Sequence, residues 1–312
     1  LRRLTDDTGI LQHAVFAVPD FSKGYTTDDN ARALVLAVLL EELEDEGSSS
    51  ARDLATRYLA FLWYAFDGAS GRFRNVLSYE RQWSDETPSE DAGTRALWAL
   101  GIVLGRSRND GLRGPAGILF DRALQSTLDA TSPRAWAFSL LAIQEYMRRF
   151  SGDRNVQVAR DTLANRLFDL YRRVSTPEWP WFEDVLSYDN AMLPHAMINC
   201  GRWMKGRPEM VEAGLQSLGW LARLQRPDGG HFVPVGSNGF YRRGGARAQA
   251  TLAPKGPGEA RLLRCAAARS SFPPRRCMCY GLRTGARSAT RSRAPSFRTG
   301  CASTSAGGRS SP

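Results

Sequence analysis

The chain has 312 residues, 42% of them apolar, with eight Trp and a formal net charge of +10. That length suits one large domain or two ordinary ones. The longest purely apolar run, Ala33 to Leu40, has eight residues, far short of the ~20 of a membrane-spanning helix. The charge is also unevenly placed, for from Gly245 onward twelve Arg and one Lys face a single Glu, whereas residues 1–244 carry 29 basic and 31 acidic side chains. A slightly acidic body argues against a nucleic-acid partner, and the expectation is a soluble, cytoplasmic protein. Leu1-Arg2-Arg3-Leu4 reads like the middle of a helix, so the chain is expected to be a fragment.

In chain order, helical patterns cover 29–46, 51–66, 91–106, 116–129, 133–150, 153–174, 189–204 and 208–224. Several starts carry capping residues: Asp28 and Asp29, Ser89-Glu90-Asp91, and Thr131 or Ser132 ahead of Pro133. The connections are unequal. Two are long: 67–89 is rich in Gly, Arg and aromatics, and 175–188 in Trp and Pro. The stretch 226–243 is glycine-rich. The helices pair into four hairpins, and the first member of each is apolar nearly all round, as an inner layer would be. The second members are amphipathic, as an outer ring would be.

An internal repeat orders these hairpins. Phe73-Arg-Asn-Val76-Leu77-Ser78-Tyr79-Glu80 matches Phe182-Glu-Asp-Val185-Leu186-Ser187-Tyr188-Asp189, and each copy precedes an inner helix. Equivalent loops in equivalent places imply rotation about an axis. The expected fold is therefore all-α: an incomplete α/α toroid spanning residues 1–247.

The remaining segment, 248–312, is expected to be a disordered or frameshifted tail. From Gly245 to the end there is no Asp, Asn, Ile, Val, Trp or His, the composition of GC-rich codons read out of frame. A frameshift near Ala248 and a genuine basic tail both fit. The tail also holds Cys265, Cys277, Cys279 and Cys301, leaving Cys200 alone in the body. A lone C-x-C has no second ligand pair, and His13, His195 and His231 are far apart in sequence, so neither metal nor cofactor is expected. His195, within an apolar helix, is expected in the core.

Chemistry is expected where the inner helices begin. Pairs of carboxylates gather there, beyond the one acid per helix that capping needs. Asp28, Asp29, Glu183 and Asp184 are the candidate catalytic carboxylates, with Glu183 or Asp184 as acid and Asp28 or Asp29 as partner. Asn30, Trp83, Glu90, Asp91, Arg134, Trp179, Trp181, Asp189, Asn190, His231 and Asn238 are candidate substrate contacts. Flat rings bordered by carboxylates suit sugars, and glycosidic cleavage uses two carboxyl groups. Capping by the acids, and gap-filling by Trp179 and Trp181, are the plainer alternatives.

Four motifs carry a resemblance: Leu4-Thr-Asp-Asp-Thr-Gly-Ile-Leu-Gln-His13, Gly24-Tyr-Thr-Thr-Asp-Asp-Asn-Ala-Arg32, Ser132-Pro-Arg-Ala-Trp136 and Gly236-Ser-Asn-Gly-Phe-Tyr241. Residues 1–247 resemble a bacterial helical domain often fused behind a group 1 glycosyltransferase or grouped under that name, similar in architecture to six-hairpin glycosidases. The resemblance implies further helices after the last motif, where the present tail departs from the pattern. It also implies an oligosaccharide or polysaccharide substrate and a glycosyltransferase as fused domain or partner. The function expected is hydrolase-like action on glycosidic linkages, with a non-catalytic glycan-binding or scaffolding module as the alternative.

Overall fold

The computed structural model describes residues 1–43, 49–84, 89–226, 230, 232–236 and 240–245. Contacts divide the chain into Leu1–Leu252 and Ala253–Pro312, and every described residue belongs to the first unit. The expected tail, its cysteines and the frameshift position therefore lie outside the described residues, as do His231 and Asn238.

Eight α-helices occur among the described residues: α1 (Thr27–Leu43), α2 (Ser49–Ala65), α3 (Glu90–Arg106), α4 (Asp110–Leu128), α5 (Pro133–Tyr146), α6 (Arg154–Val174), α7 (Met192–Trp203) and α8 (Pro208–Leu224). Each odd-numbered helix packs on the next helix in sequence, and α1, α3, α5 and α7 also pack on one another in succession. That is an inner layer of four helices backed by an outer layer of four, an open α/α toroid. Because antiparallel hairpins follow one another, all four inner helices start at the same end.

Local chemistry sets the starts. Ser89 Oγ accepts from the Ala92 amide at 3.3 Å, and the Asp153 carboxylate accepts from Asn155 and Val156 at 3.0 and 3.2 Å. Pro133 takes a first-turn position in α5, where its missing N–H costs nothing. Two starts differ from the sequence pattern by more than two residues. α4 begins at Asp110 rather than 116 and carries Pro115 inside. Asn109 caps it by accepting from the Gly111 amide at 2.9 Å, and a proline this early forfeits a single helical bond. α7 begins three residues later than expected, because Asp189 lies in the left-handed region at φ +46°.

Among the described residues, eight two-residue strands edge the connections: β1 (Ala14–Val15), β2 (Val18–Pro19), β3 (Tyr25–Thr26), β4 (Phe66–Asp67), β5 (Arg72–Phe73), β6 (Val76–Leu77), β7 (Val185–Leu186) and β8 (Tyr241–Arg242). They pair antiparallel as β1–β2, β3–β6, β4–β5 and β7–β8. Both copies of the repeat thus form the same device, a Val-Leu strand ahead of an inner helix. Tyr25 is the register partner of Leu77, and Tyr241 that of Leu186. Cys200 of α7 is a buried free thiol, pushed up to about 12 by burial.

The inner layer is tight where α3 meets α5. A Cβ on Gly101 would stand 2.4 Å from the Ala142 carbonyl oxygen, and one on Gly105 would stand 2.3 Å from that of Glu145. A side chain there forces two backbones apart. Gly101→Ala is expected to cost about 1–3 kcal/mol. Gly93→Ala, on the same helix with nothing within 4 Å of the added methyl, should gain about 0.5–1 kcal/mol. Paired denaturant melts check both; equal behaviour of the two variants contradicts the close approach.

Candidate functional site

The end at which the inner helices start is held by two arginines. Arg95, in the second turn of α3, has a side chain only 7% exposed. Its Nη1 lies 3.3 Å from Asp28 Oδ1 at the start of α1, and its Nη2 donates to Asp189 Oδ2 just before α7. One guanidinium therefore reaches the first and the fourth inner helix from the second, which requires the inner layer to curve. Asp28 Oδ1, though close to Arg95, makes no hydrogen bond and is sealed from solvent, and so is Arg95 Nε. Arg32 approaches the other Asp28 oxygen at 3.1 Å.

Burial pushes the Asp28 carboxyl above the usual aspartate range. Arg95 and Arg32 pull it down, while Asp29 and Asp189 push it up again. Burial likewise opposes the charge on Arg95, but Asp28, Asp189 and Asp91 outweigh it and hold the guanidinium more firmly protonated. Asp189 keeps its left-handed backbone at a cost on the order of 1 kcal/mol, and this turn aims its carboxylate at Arg95.

Arg134, in the first turn of α5, is the second centre, with a side chain 4% exposed. It donates to Glu183 Oε2 at 2.7 Å, the Tyr188 carbonyl at 2.6 Å and Asn190 Oδ1 at 3.2 Å. Its guanidinium also sits 4.7 Å from the centre of the Tyr188 ring. The Tyr188 hydroxyl donates to Asp91 Oδ2; burial first, then this bond, push the phenol up to about 12. Asp28, Asp91, Asp189, Arg134 and Glu183 are thus linked through Arg95 and Tyr188 into one network.

Other expected contacts lie elsewhere. Asp29 serves α1: its amide donates to Thr26 Oγ1 at 3.0 Å, and Thr26 Oγ1 donates back to its carboxylate at 2.6 Å. Glu90 turns to the next hairpin, accepting from the Thr131 and Ser132 amides at 3.0 and 3.1 Å. Asn30 is buried and ties Thr26 and Ile10 together. Asn190 closes its own turn against Ser187. The Asp184 side chain is 78% exposed and faces Arg243 at 3.5 Å.

The expectation that Trp179 and Trp181 wall a sugar site is corrected by their burial, at 4% and 0% exposure. They pack on Trp220 of α8, and Trp179 Nε1 donates to the Glu183 carbonyl at 2.7 Å. Large apolar rings in a loop were needed to seal the gap between hairpins. Trp83 packs on Phe61 and Tyr64 of α2, under Arg74. His195, expected in the core, is exposed on α7, because inner helices of an open layer keep one face uncovered. Arg95 was not singled out from the sequence; its signal is a lone arginine in the apolar run of α3, four residues after Asp91.

Among the described residues no group of three His, Cys, Asp or Glu side chains is placed to hold a metal ion, and no helix is long and apolar enough to cross a membrane.

No protein-family model matches the chain, and no curated protein matches it in sequence. In structure it is similar to a sugar epimerase from a ruminal bacterium, with a TM-score of 0.60 and 14% identity over 72% of this chain and 68% of that one. At that identity the likeness establishes a shared helical fold.

Two outcomes test the network. Arg134→Met removes the guanidinium that donates to the Glu183 carboxylate and is expected to cost about 3 kcal/mol; a loss within error of zero in denaturant melts contradicts the role given to Arg134. For Asp28 the sign follows from its raised folded-state pKa. The native state holds this proton longer than the unfolded state, so its contribution to stability is full below the unfolded pKa and is lost as pH rises through the folded one. Wild-type stability measured relative to Asp28→Asn should therefore fall as pH rises above about 4. A flat difference would show that Asp28 titrates normally.

Proposed function

We propose that this helical domain acts on glycosidic linkages in a hydrolase-like manner, with Asp28 and Asp189 as the working carboxyl pair. The observation that carries the proposal is the Arg95 bridge. Two carboxyl groups held on one guanidinium face a common space, as the carboxyl pair of glycoside cleavage must. Their environments also differ. Asp28 is more buried, and burial pushes its carboxyl above the usual aspartate range, which suits the acid that protonates the glycosidic oxygen. Asp189, bonded to Arg95 and more open to solvent, suits the partner that attacks the sugar or activates water.

This reassigns the acid from Glu183 or Asp184. Glu183 is engaged by Arg134 and Asp184 faces outward, so Glu183 positions Arg134 and the Tyr188 turn. The fold shared with a sugar epimerase supports a carbohydrate substrate. The resemblance of residues 1–247 to domains accompanying group 1 glycosyltransferases adds an expected partner: a glycosyltransferase whose oligosaccharide or polysaccharide product this domain would process. The glycan-binding alternative keeps the same surface without turnover.

The test is a screen of oligosaccharides and aryl glycosides with the purified chain, its products resolved by chromatography. Asp28→Asn and Asp189→Asn are each expected to lower kcat by about 10²–10⁴-fold while ligand binding persists. Activity should fall as pH rises through the Asp28 pKa. Sugar binding without turnover in the wild type would select the binding-module reading, and turnover undiminished in both variants would remove these residues from the chemistry.

A further inference from the structure

We propose that Trp98, backed by Phe138, is the platform on which a sugar ring stacks, on the concave face of the inner layer one helical turn below the Arg95 bridge. This inference rests on the carbohydrate reading above.

The face is defined by Arg95. Because its guanidinium meets carboxylates at the starts of both α1 and α7, its side of α3 is the concave one. Trp98 is three residues further along the same helix. Residues so spaced share a face, and the axial step between them is about 4.5 Å. Arg95 lies over Phe138 of α5, 4.9 Å from its ring centre, and the Trp98 and Phe138 rings are 5.6 Å apart. Phe138 is buried, whereas Trp98 is half-buried at the edge of the core. The phenyl ring therefore fixes the indole from behind and leaves part of it uncovered.

Its polar atom sets Trp98 apart from the tryptophans first expected to bind sugar. Trp179 donates its indole N–H to the Glu183 carbonyl, and those of Trp83 and Trp181 are sealed without partners. The Trp98 indole N–H belongs to neither group among the described residues. An apolar face with a free donor at its rim matches a pyranose, whose C–H face stacks while its hydroxyls accept. A ring seated there spans about one helical turn, which brings its next linkage to Asp28 and Asp189.

The test labels the full chain with 5-fluorotryptophan and follows its ¹⁹F resonances as cellohexaose, maltohexaose, mannohexaose and xylohexaose are added in turn. The Trp98 line is assigned by its absence in Trp98→Phe. At least one saccharide is expected to move that line and leave the line of exposed Trp63 in place. Trp98→Ala should weaken its binding about tenfold, and Trp98→Phe should keep most of the affinity. The labelled wild-type reading does not depend on whether the alanine variant folds. A saccharide that binds by calorimetry but leaves the Trp98 line unmoved overturns the platform and spares the carbohydrate function. Failure of all four to bind overturns both.

Discussion

The end at which the inner helices start depends on a charge placed where an apolar residue would ordinarily stand. Arg95 sits in an inner helix whose neighbours are Ala, Leu and Thr, and its side chain is almost wholly buried. Removing a guanidinium from water costs several kcal/mol, and only paired carboxylates in good geometry offset it. Those carboxylates come from the start of the first inner helix and from the turn just before the fourth. The same pairing that neutralises the charge therefore sets the curvature of the layer, and the site follows from that curvature.

The carboxylates at the helix starts divide into two kinds, and the division is physical. Asp29 and Glu90 face backbone N–H groups or the hydroxyls beside them, and satisfy helix ends that would otherwise lack partners. Asp28 and Asp189 instead meet the buried guanidinium of Arg95. Glu183 belongs with the supports: through Arg134 it steadies the turn that carries Tyr188, Asp189 and Asn190. Such a supporting layer keeps a carboxylate aimed once its own backbone conformation is unfavourable.

Much of the architecture was legible because it is local. Apolar stretches alternating with amphipathic ones gave inner and outer helices, and the repeated Val-Leu-Ser-Tyr segments marked like connections. What was hidden is long-range or depends on context. No spacing rule pairs Arg95 with Asp28 and Asp189, which lie far away on either side in sequence. Trp179 and Trp181 were read from their position in a loop, but a loop that crosses the mouth of two hairpins has an interior of its own. The start of α4 was misplaced because Gly111, Gly114 and Pro115 weigh against a helix individually, while Asn109 at the cap and packing on α3 decide in its favour.

The order in which the chain leaves the ribosome bears on Arg95. Asp28 precedes it, and Asp189 follows only after three more helices have been made. Contacts of such wide separation close late, and the early hairpins can fold before the later ones exist. A guanidinium whose sole partner lay downstream would spend that interval buried and unpaired, or would hold α3 open to water. With Asp28 upstream, the charge is already matched when α1 and α3 meet. The second carboxylate then arrives at a preformed cation, and its docking draws the fourth inner helix into the arc.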